Sequence, residues 1–545
     1  MRGRADRRWR RVCAPWFAGG AFACLAQAGP AIQVHFDSAV RDVPATGRLV
    51  AYLIPDTASL GGREPSDGPF FENPQPMFGM DVHALAAGAI ATIDQAGVTA
   101  FPTPLSELPA GGYRVQVVLD MAHHSSMWAG EPGNLYSTTQ RFTLPEHDDA
   151  AFVDFKIDVT LDRVVEDPVP QAFEQMEGVD LFEIRSDLLS EARGEDVTMR
   201  AGVVYPDHYD PERKYAAMYV VPGFGGDHTI ALGEARRRQF RRFAERKLFD
   251  ANTFVIILDP ESGNGHHLFT NSKCNGPVGD ALVGELVPAL TRRFNLIDDP
   301  KARILRGHSS GGWSTVWLTL NYPETFGYTF SSAPDPVDFR AFQAVNLYED
   351  DSAYVAHGDP VPSFRTQTIL GDEVKMTIAQ ENAMEEVLGP DNTSGQQWDS
   401  WFAAFGVPNE AGHPAALWDA KTGAIDRDIA KQFEGHDIRL LLRSDPEKYG
   451  PIFRDRINLV VGSRDSFYLE RAVKLLFEEL REQGFAPGVE DGGSITVVPD
   501  ADHGTVLHSE AVQGSIERML DLLRMNGFIV REHLPMDDHA EEGGR

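Results

Sequence analysis

The sequence runs to 545 residues, 42% hydrophobic and 24% charged, a globular balance that excludes a disordered chain and leaves room for several domains. Its net charge of −31, with no basic stripe to offset it, excludes nucleic acid as a partner. A mean hydropathy of −0.28 excludes a multi-span membrane protein.

Residues 1–28 stand apart. Six arginines between Arg2 and Arg11 are followed by an apolar stretch, C-A-P-W-F-A-G-G-A-F-A-C-L, and by A-Q-A before Gly29. A basic start, a short apolar run and an A-x-A site read as a secretory signal peptide, so the expectation is a secreted or periplasmic protein. The run is shorter than the ~20 residues of a membrane span, so no stable span is expected after cleavage. Cys13 and Cys24 leave with the leader, and Cys274 remains as a packing residue with no disulfide partner.

Residues 29–162 predict a β-sandwich of immunoglobulin-like type. I-Q-V-H-F, G-R-L-V-A-Y-L-I, G-Y-R-V-Q-V-V-L-D and F-V-D-F-K-I-D-V-T-L are short strand-like runs separated by turn residues. Residues 163–176, with V-E-D-P-V-P-Q, read as a linker. From 177 to 532 the pattern changes. Apolar runs at 216–223, 253–259, 302–307 and 457–462 alternate with helical stretches. In one of these, at 280–294, Leu282, Val283, Leu286, Val287 and Leu290 fall on one face. Strands alternating with helices predict a mostly parallel sheet covered on both faces. An insertion at about 340–450, holding Trp398, Trp401, Phe402, Phe405 and Trp418, reads as mainly helical and placed over the functional end of the sheet. Residues 533–545 read as a disordered tail.

The chemistry centres on R-I-L-R-G-H-S-S-G-G-W at 303–313. Gly307-His308-Ser309-Ser310-Gly311 fits G-x-S-x-G between an apolar strand and the apolar run W-S-T-V-W-L-T-L. Such a strand-to-helix turn strains a serine and exposes its oxygen for attack. An attacking serine makes an oxyanion, which needs placed N–H donors. The amide of Ser310 is one expected donor. The amide of Phe224, in Pro222-Gly223-Phe224-Gly225-Gly226 after a strand, is the other. The serine also needs a base, and His503 in V-V-P-D-A-D-H-G-T supplies one. Asp465, directly after the apolar run I-N-L-V-V-G, can orient that base and stabilise its charged form. Asp335, in S-S-A-P-D-P, is the rival acid. His308 reads as packed beside the turn. The pairs His123-His124 and His266-His267 lack metal-ligand spacing, so neither a metal nor another cofactor is expected.

Residues from about 197 to 505 resemble the esterase D-like family of α/β-hydrolases. The similar pieces are V-V-P-G-F-G-G, N-G-P-V-G-D-A-L-V-G-E-L-V-P-A-L-T-R-R-F, G-H-S-S-G-G-W, V-V-G-S-R-D-S-F-Y-L and D-A-D-H-G-T, in the family's order. The resemblance implies an α/β-hydrolase fold behind the β domain, and a Ser–Asp–His triad at Ser309, Asp465 and His503. It also implies acyl-ester or thioester chemistry on a small-molecule or polymer-linked substrate. The family includes carbohydrate esterases, siderophore esterases and mycolyl transferases. Here Pro222 stands where many members have His, and the insertion before Asp465 is long. The expectation is an exported serine esterase. Acyl transfer to a sugar or lipid, peptidase activity and a non-catalytic binding protein are the alternatives.

Overall fold

The computed structural model describes residues 29–59, 61–94, 97–241, 244–488 and 492–529. The expected signal peptide at 1–28 and tail at 533–545 lie outside the described residues. No helix among the described residues is long and apolar enough to cross a membrane.

The N-terminal domain is built from strands. Ala45–Pro55 pairs antiparallel with both Met77–Leu85 and Gly111–Asp120. Lys156–Val164 joins the two halves, parallel to Ala31–His35 and antiparallel to Leu135–Ser137, so the strands form one continuous hydrogen-bonded path around a common core. Phe152 and Val153, expected at the start of the last strand, instead lie in a helical turn, Ala150–Val153, capped by the Asp149 side chain.

The run L-V-A-Y-L-I shows why this domain does not stand alone. A strand apolar on both faces must bury both. Leu49, Ala51 and Leu53 point into the β-domain core. Val50 and Tyr52 point the other way, against Phe364, Met376, Met384, Val387 and Leu388 of the insertion.

The stretch read as a linker carries structure. Pro168 and Pro170 start a helix at Val169–Gln175, in keeping with the tolerance of proline in a first turn. Its Phe173 is buried against the second domain. A single buried aromatic among prolines and acids gave the sequence too little periodicity to show this.

Eight strands among the described residues form the second sheet: β1 (Val179–Ser186), β2 (Val197–Val204), β3 (Ala216–Val221), β4 (Thr253–Leu258), β5 (Arg303–His308), β6 (Tyr328–Ser332), β7 (Ile457–Gly462) and β8 (Ser494–Val498). Their spatial order is 1-2-4-3-5-6-7-8, with β2 antiparallel to its neighbours and β3 to β8 parallel, the arrangement of an α/β-hydrolase. The predicted helix at 280–294 runs from Val278 to Arg293 with a wider π turn at Leu282–Leu286. Pro288, which has no N–H to donate, lies two residues past the end of that turn.

The insertion between β6 and β7 is mainly helical, with a hairpin of Pro362–Thr368 and Gly371–Thr377. Trp398, Trp401, Phe402, Phe405 and Trp418 are all buried in one large core with Trp313 and Phe342. They build the core of the insertion. The C-terminus of its helix α1 (Ile378–Leu388) meets the β domain, where the Arg48 guanidinium donates to the carbonyls of Val387 at 3.0 Å and Glu386 at 3.2 Å. A cation on the last carbonyls of a helix satisfies its unpaired acceptors and its dipole together.

Candidate active site

Ser309 sits between β5 and the helix α2 (Ser310–Asn321) with φ 57° and ψ −125°. A non-glycine residue held there costs on the order of 1–3 kcal/mol and persists only where its surroundings enforce it. The enforcement is visible. Ser309 N donates to Ser332 O at 3.0 Å, and its carbonyl accepts from Trp313 N at 3.1 Å and Asp335 N at 3.2 Å. A Cβ on Gly307 would stand 2.1 Å from Gly311 O, and one on Gly311 would stand 2.0 Å from Val221 O. Both flanking glycines of the motif are therefore required by contact. Almost all of α2 is buried, which explains its apolar composition all round. Its hydroxyls turn inward, Ser314 Oγ to Ser310 O at 2.7 Å and Thr315 Oγ1 to Gly312 O at 2.9 Å.

The turn after β3 lies against this serine. A Cβ on Gly223 would be 3.3 Å from Ser309 Cβ. Gly226 N donates to Gly223 O at 3.0 Å, and Gly225 has φ +74°. Phe224 is thus the second residue of a tight turn whose internal hydrogen bond does not use its amide. Ser310 is the first residue of α2, so its N–H has no acceptor within the helix.

His503 and Asp465 come together from the loops after β8 and β7. His503 Nδ1 is 2.8 Å from Asp465 Oδ2. Asp465 is fully buried, and its Oδ1 accepts from Phe467 N at 2.9 Å. The loops are laced by their backbones, Ser463 N to Val498 O at 2.8 Å and Arg464 N to Ala501 O at 3.0 Å. The His503 ring packs against His308, next to Ser309, at 4.5 Å between centroids with the two planes tilted by 42°. Burial alone would depress His503, but the charge of Asp465 and its hydrogen bond outweigh that and raise it above the ordinary histidine value. His308 behaves oppositely, pushed down to about 3 by burial and by His503, so it stays neutral.

Asp335, the rival acid, is also buried at this centre. Its Oδ2 accepts from Trp401 Nε1 at 2.8 Å, and burial raises it to about 6. The carboxylate bonded to His503 is Asp465. Cys274 is half-buried, with its thiol pushed up to about 11 by burial, which makes it a poor nucleophile.

One residue here escaped the sequence reading. His266, read only for metal spacing, is fully buried behind the turn after β3. Its Nδ1 accepts from Leu268 N at 3.1 Å, which leaves Nε2 to donate to Pro222 O at 3.0 Å. Burial pushes it down to about 4, so it holds that turn as a neutral ring. Among the described residues no group of three His, Cys, Asp or Glu is placed to hold a metal ion.

The β domain reaches the same centre from two sides. Phe71 packs on Phe467, and Phe467 packs edge-on against His503. On the other side, a Cβ on Gly225 would be 3.4 Å from Met127 Sδ.

Residues 190–484, more than half of the chain, match the family described as "Putative esterase". The match contains Ser309 and Asp465 and ends ahead of His503. No curated protein is significantly similar to the chain. Among solved structures, a ferulic acid esterase is 12% identical over 63% of this chain and 97% of its own, with a TM-score of 0.36. An S-formylglutathione hydrolase from Agrobacterium tumefaciens is 12% identical over 64% and 94%, with a TM-score of 0.33. Dipeptidyl peptidase 4 of Porphyromonas gingivalis is 13% identical over 82% and 48%, with a TM-score of 0.35. The chain belongs to the matched esterase family, and is a carboxylic ester hydrolase on the α/β-hydrolase fold.

Proposed function

We propose that the protein is an exported serine esterase whose triad is Ser309, His503 and Asp465. The observation that carries this reading is the 2.8 Å contact between His503 Nδ1 and Asp465, with the His503 ring packed against the neighbour of a serine held at φ 57°. Asp465 fixes the tautomer, so His503 Nε2 is the free base. It takes the proton of Ser309 Oγ as that oxygen attacks the ester carbonyl. The amides of Ser310 and Phe224 stabilise the oxyanion, where loss of one donor typically costs ~3 kcal/mol of barrier. His503 then returns the proton to the departing alcohol, leaving an acyl group on Ser309. Water, activated by the same histidine, releases the acid. The site needs no cofactor for these steps. The basic leader at 1–28 supports export to the periplasm or the medium.

The test is covalent. A fluorophosphonate probe should label the purified protein once, at Ser309, with p-nitrophenyl acetate turnover lost in step. Labelling and turnover that persist in Ser309→Ala would end the proposal.

A further inference from the structure

Parallel strands covered on both sides are apolar on both sides, and one face of this sheet departs from that rule. The registers of β5 to β8 set Arg306 beside Phe330, Phe330 beside Asn458, and Asn458 beside Ser494, a row across four strands. The parallel row starts at His308 and continues through Ser332 and Val460 to Thr496. All of these except His308 line a cavity of about 340 Å³, which Val512, Ser515 and Arg518 of the C-terminal helical segment close from the other side. Ser309, His503 and the Gly223–Gly226 turn are not part of this lining, so the cavity is separate from the catalytic centre.

Its charge is the reverse of the chain's. The lining holds Arg306 and Arg518 and, among the described residues, no aspartate or glutamate, in a protein of net charge −31. Arg518 stands at the rim, where Nη2 donates to Gly492 O at 3.4 Å. Arg306 has no hydrogen bond or ion pair among the described residues, and none of its guanidinium nitrogens is sealed in packed protein. The hydroxyls around it donate elsewhere: Ser494 Oγ to Asn458 Oδ1 at 2.9 Å, Ser332 Oγ to Gly307 O at 3.2 Å and Ser515 Oγ to Val512 O at 2.7 Å. Burial pushes the Arg306 guanidinium down from the ordinary arginine value. Glu234 opposes that shift, and Arg241, Arg246 and Arg237 add to it. Glu234 is itself engaged by Arg237 at 3.3 Å and by Arg241. An enclosed cation without a partner is costly, and an anion beside it removes that cost.

We propose that this cavity binds a small organic monocarboxylate, its carboxylate on the fork of Arg306 and its apolar body against Phe330, Val460 and Val512. A guanidinium meets a carboxylate through two parallel hydrogen bonds. One uncompensated cation calls for one negative charge. The volume, about ten times the ~30 Å³ share of a water molecule in the liquid, leaves room for a ring beyond the carboxylate. The proposal is independent of the catalytic reading, since neither Ser309 nor His503 takes part.

Calorimetry of benzoate on the purified protein tests it, with benzamide as the neutral match. Benzoate should bind saturably, and benzamide about tenfold more weakly or worse. Arg306→Met should weaken benzoate binding by about tenfold or more. Arg306→Lys, which keeps the charge without the fork, should weaken it in part, and decides the matter if Arg306→Met does not fold. Benzoate should raise the melting temperature of the wild type and leave that of Arg306→Met unmoved. Inorganic phosphate, with no apolar part, should bind more weakly than benzoate. No saturable benzoate binding to the wild type, equal binding of benzamide, or phosphate binding tighter than benzoate overturns the proposal. Benzoate affinity unchanged in Arg306→Met, or in Arg306→Lys, would place the acid elsewhere, the catalytic centre included, and overturns it too.

Discussion

Phe71 of the β domain meets Phe467 of the hydrolase domain edge to face at 6.0 Å, and Phe467 meets His503 in the same manner at 4.9 Å. Two residues of the N-terminal domain and its partner thus stand one and two rings from the base. Edge-to-face pairs contribute roughly 0.5–1.5 kcal/mol beyond their burial, enough to fix a ring's position without dominating the fold. Phe71→Ala should lower kcat about three- to tenfold while Phe467 gains freedom to move. The pH at which activity rises should stay put, because Asp465 still holds His503. A kcat unchanged in Phe71→Ala would show that the β domain contributes nothing to the base.

The two buried acids give a sharper test. Asp465 accepts from Phe467 N through one oxygen and faces His503 Nδ1 through the other. Asp335 is engaged with Trp401 Nε1. Asp465→Asn should cost on the order of 10³- to 10⁴-fold in kcat, because an amide donor there favours the wrong tautomer. Asp335→Asn should keep the Trp401 contact through its remaining oxygen and cost less than about tenfold. Steady-state kinetics on both variants decides, and the reverse ranking would reassign the acid.

The pH dependence follows from the direction of the His503 shift. As general base the ring must be neutral, so activity rises with pH through a value above the ordinary 6.5. In Asp465→Asn the charge and hydrogen bond that raise it are gone while burial remains, so the residual activity should rise at a lower pH. Stability runs the other way. A histidine whose folded value is raised stabilises fully below its unfolded value of 6.5, and that contribution fades as pH climbs through the folded value. The protein should therefore lose a little thermal stability over the window where it gains activity. Parallel pH–rate and pH–melting curves check both signs.

The parts visible in the sequence are those that local pattern controls. Continuous apolar runs marked β3, β4, β5 and β7, because a strand buried on both faces has no polar alternation to hide it. The G-x-S-x-G turn was visible because contact with Gly311 O and Val221 O forbids a side chain at either glycine. The docking of the β domain was not visible. Arg48 reaches Val387 across 339 residues of sequence, and Ser126 reaches Glu261 across 135. Nothing in a run of residues signals a partner so far away. The helix at Val169–Gln175 was hidden for a different reason, being short and started by proline in a stretch of turn-forming residues.

His266 is the clearest case of a residue whose place in the site only the fold reveals, and it carries the last prediction. Its neutral ring bridges Leu268 N and Pro222 O, fixing the peptide that precedes Gly223 and Phe224. His266→Phe would fill much of the space but leave that buried amide and carbonyl without partners, at a cost of about 1–3 kcal/mol for each buried group left unsatisfied. Part of that cost falls on folding and part on the placement of the Phe224 amide. His266→Gln retains a donor and an acceptor and should restore most of the loss. If the role is to position the oxyanion donor, kcat should fall more than KM rises in His266→Phe, with the inflection of the pH–rate curve unmoved. A drop in melting temperature with kcat intact would make His266 a packing residue and nothing more.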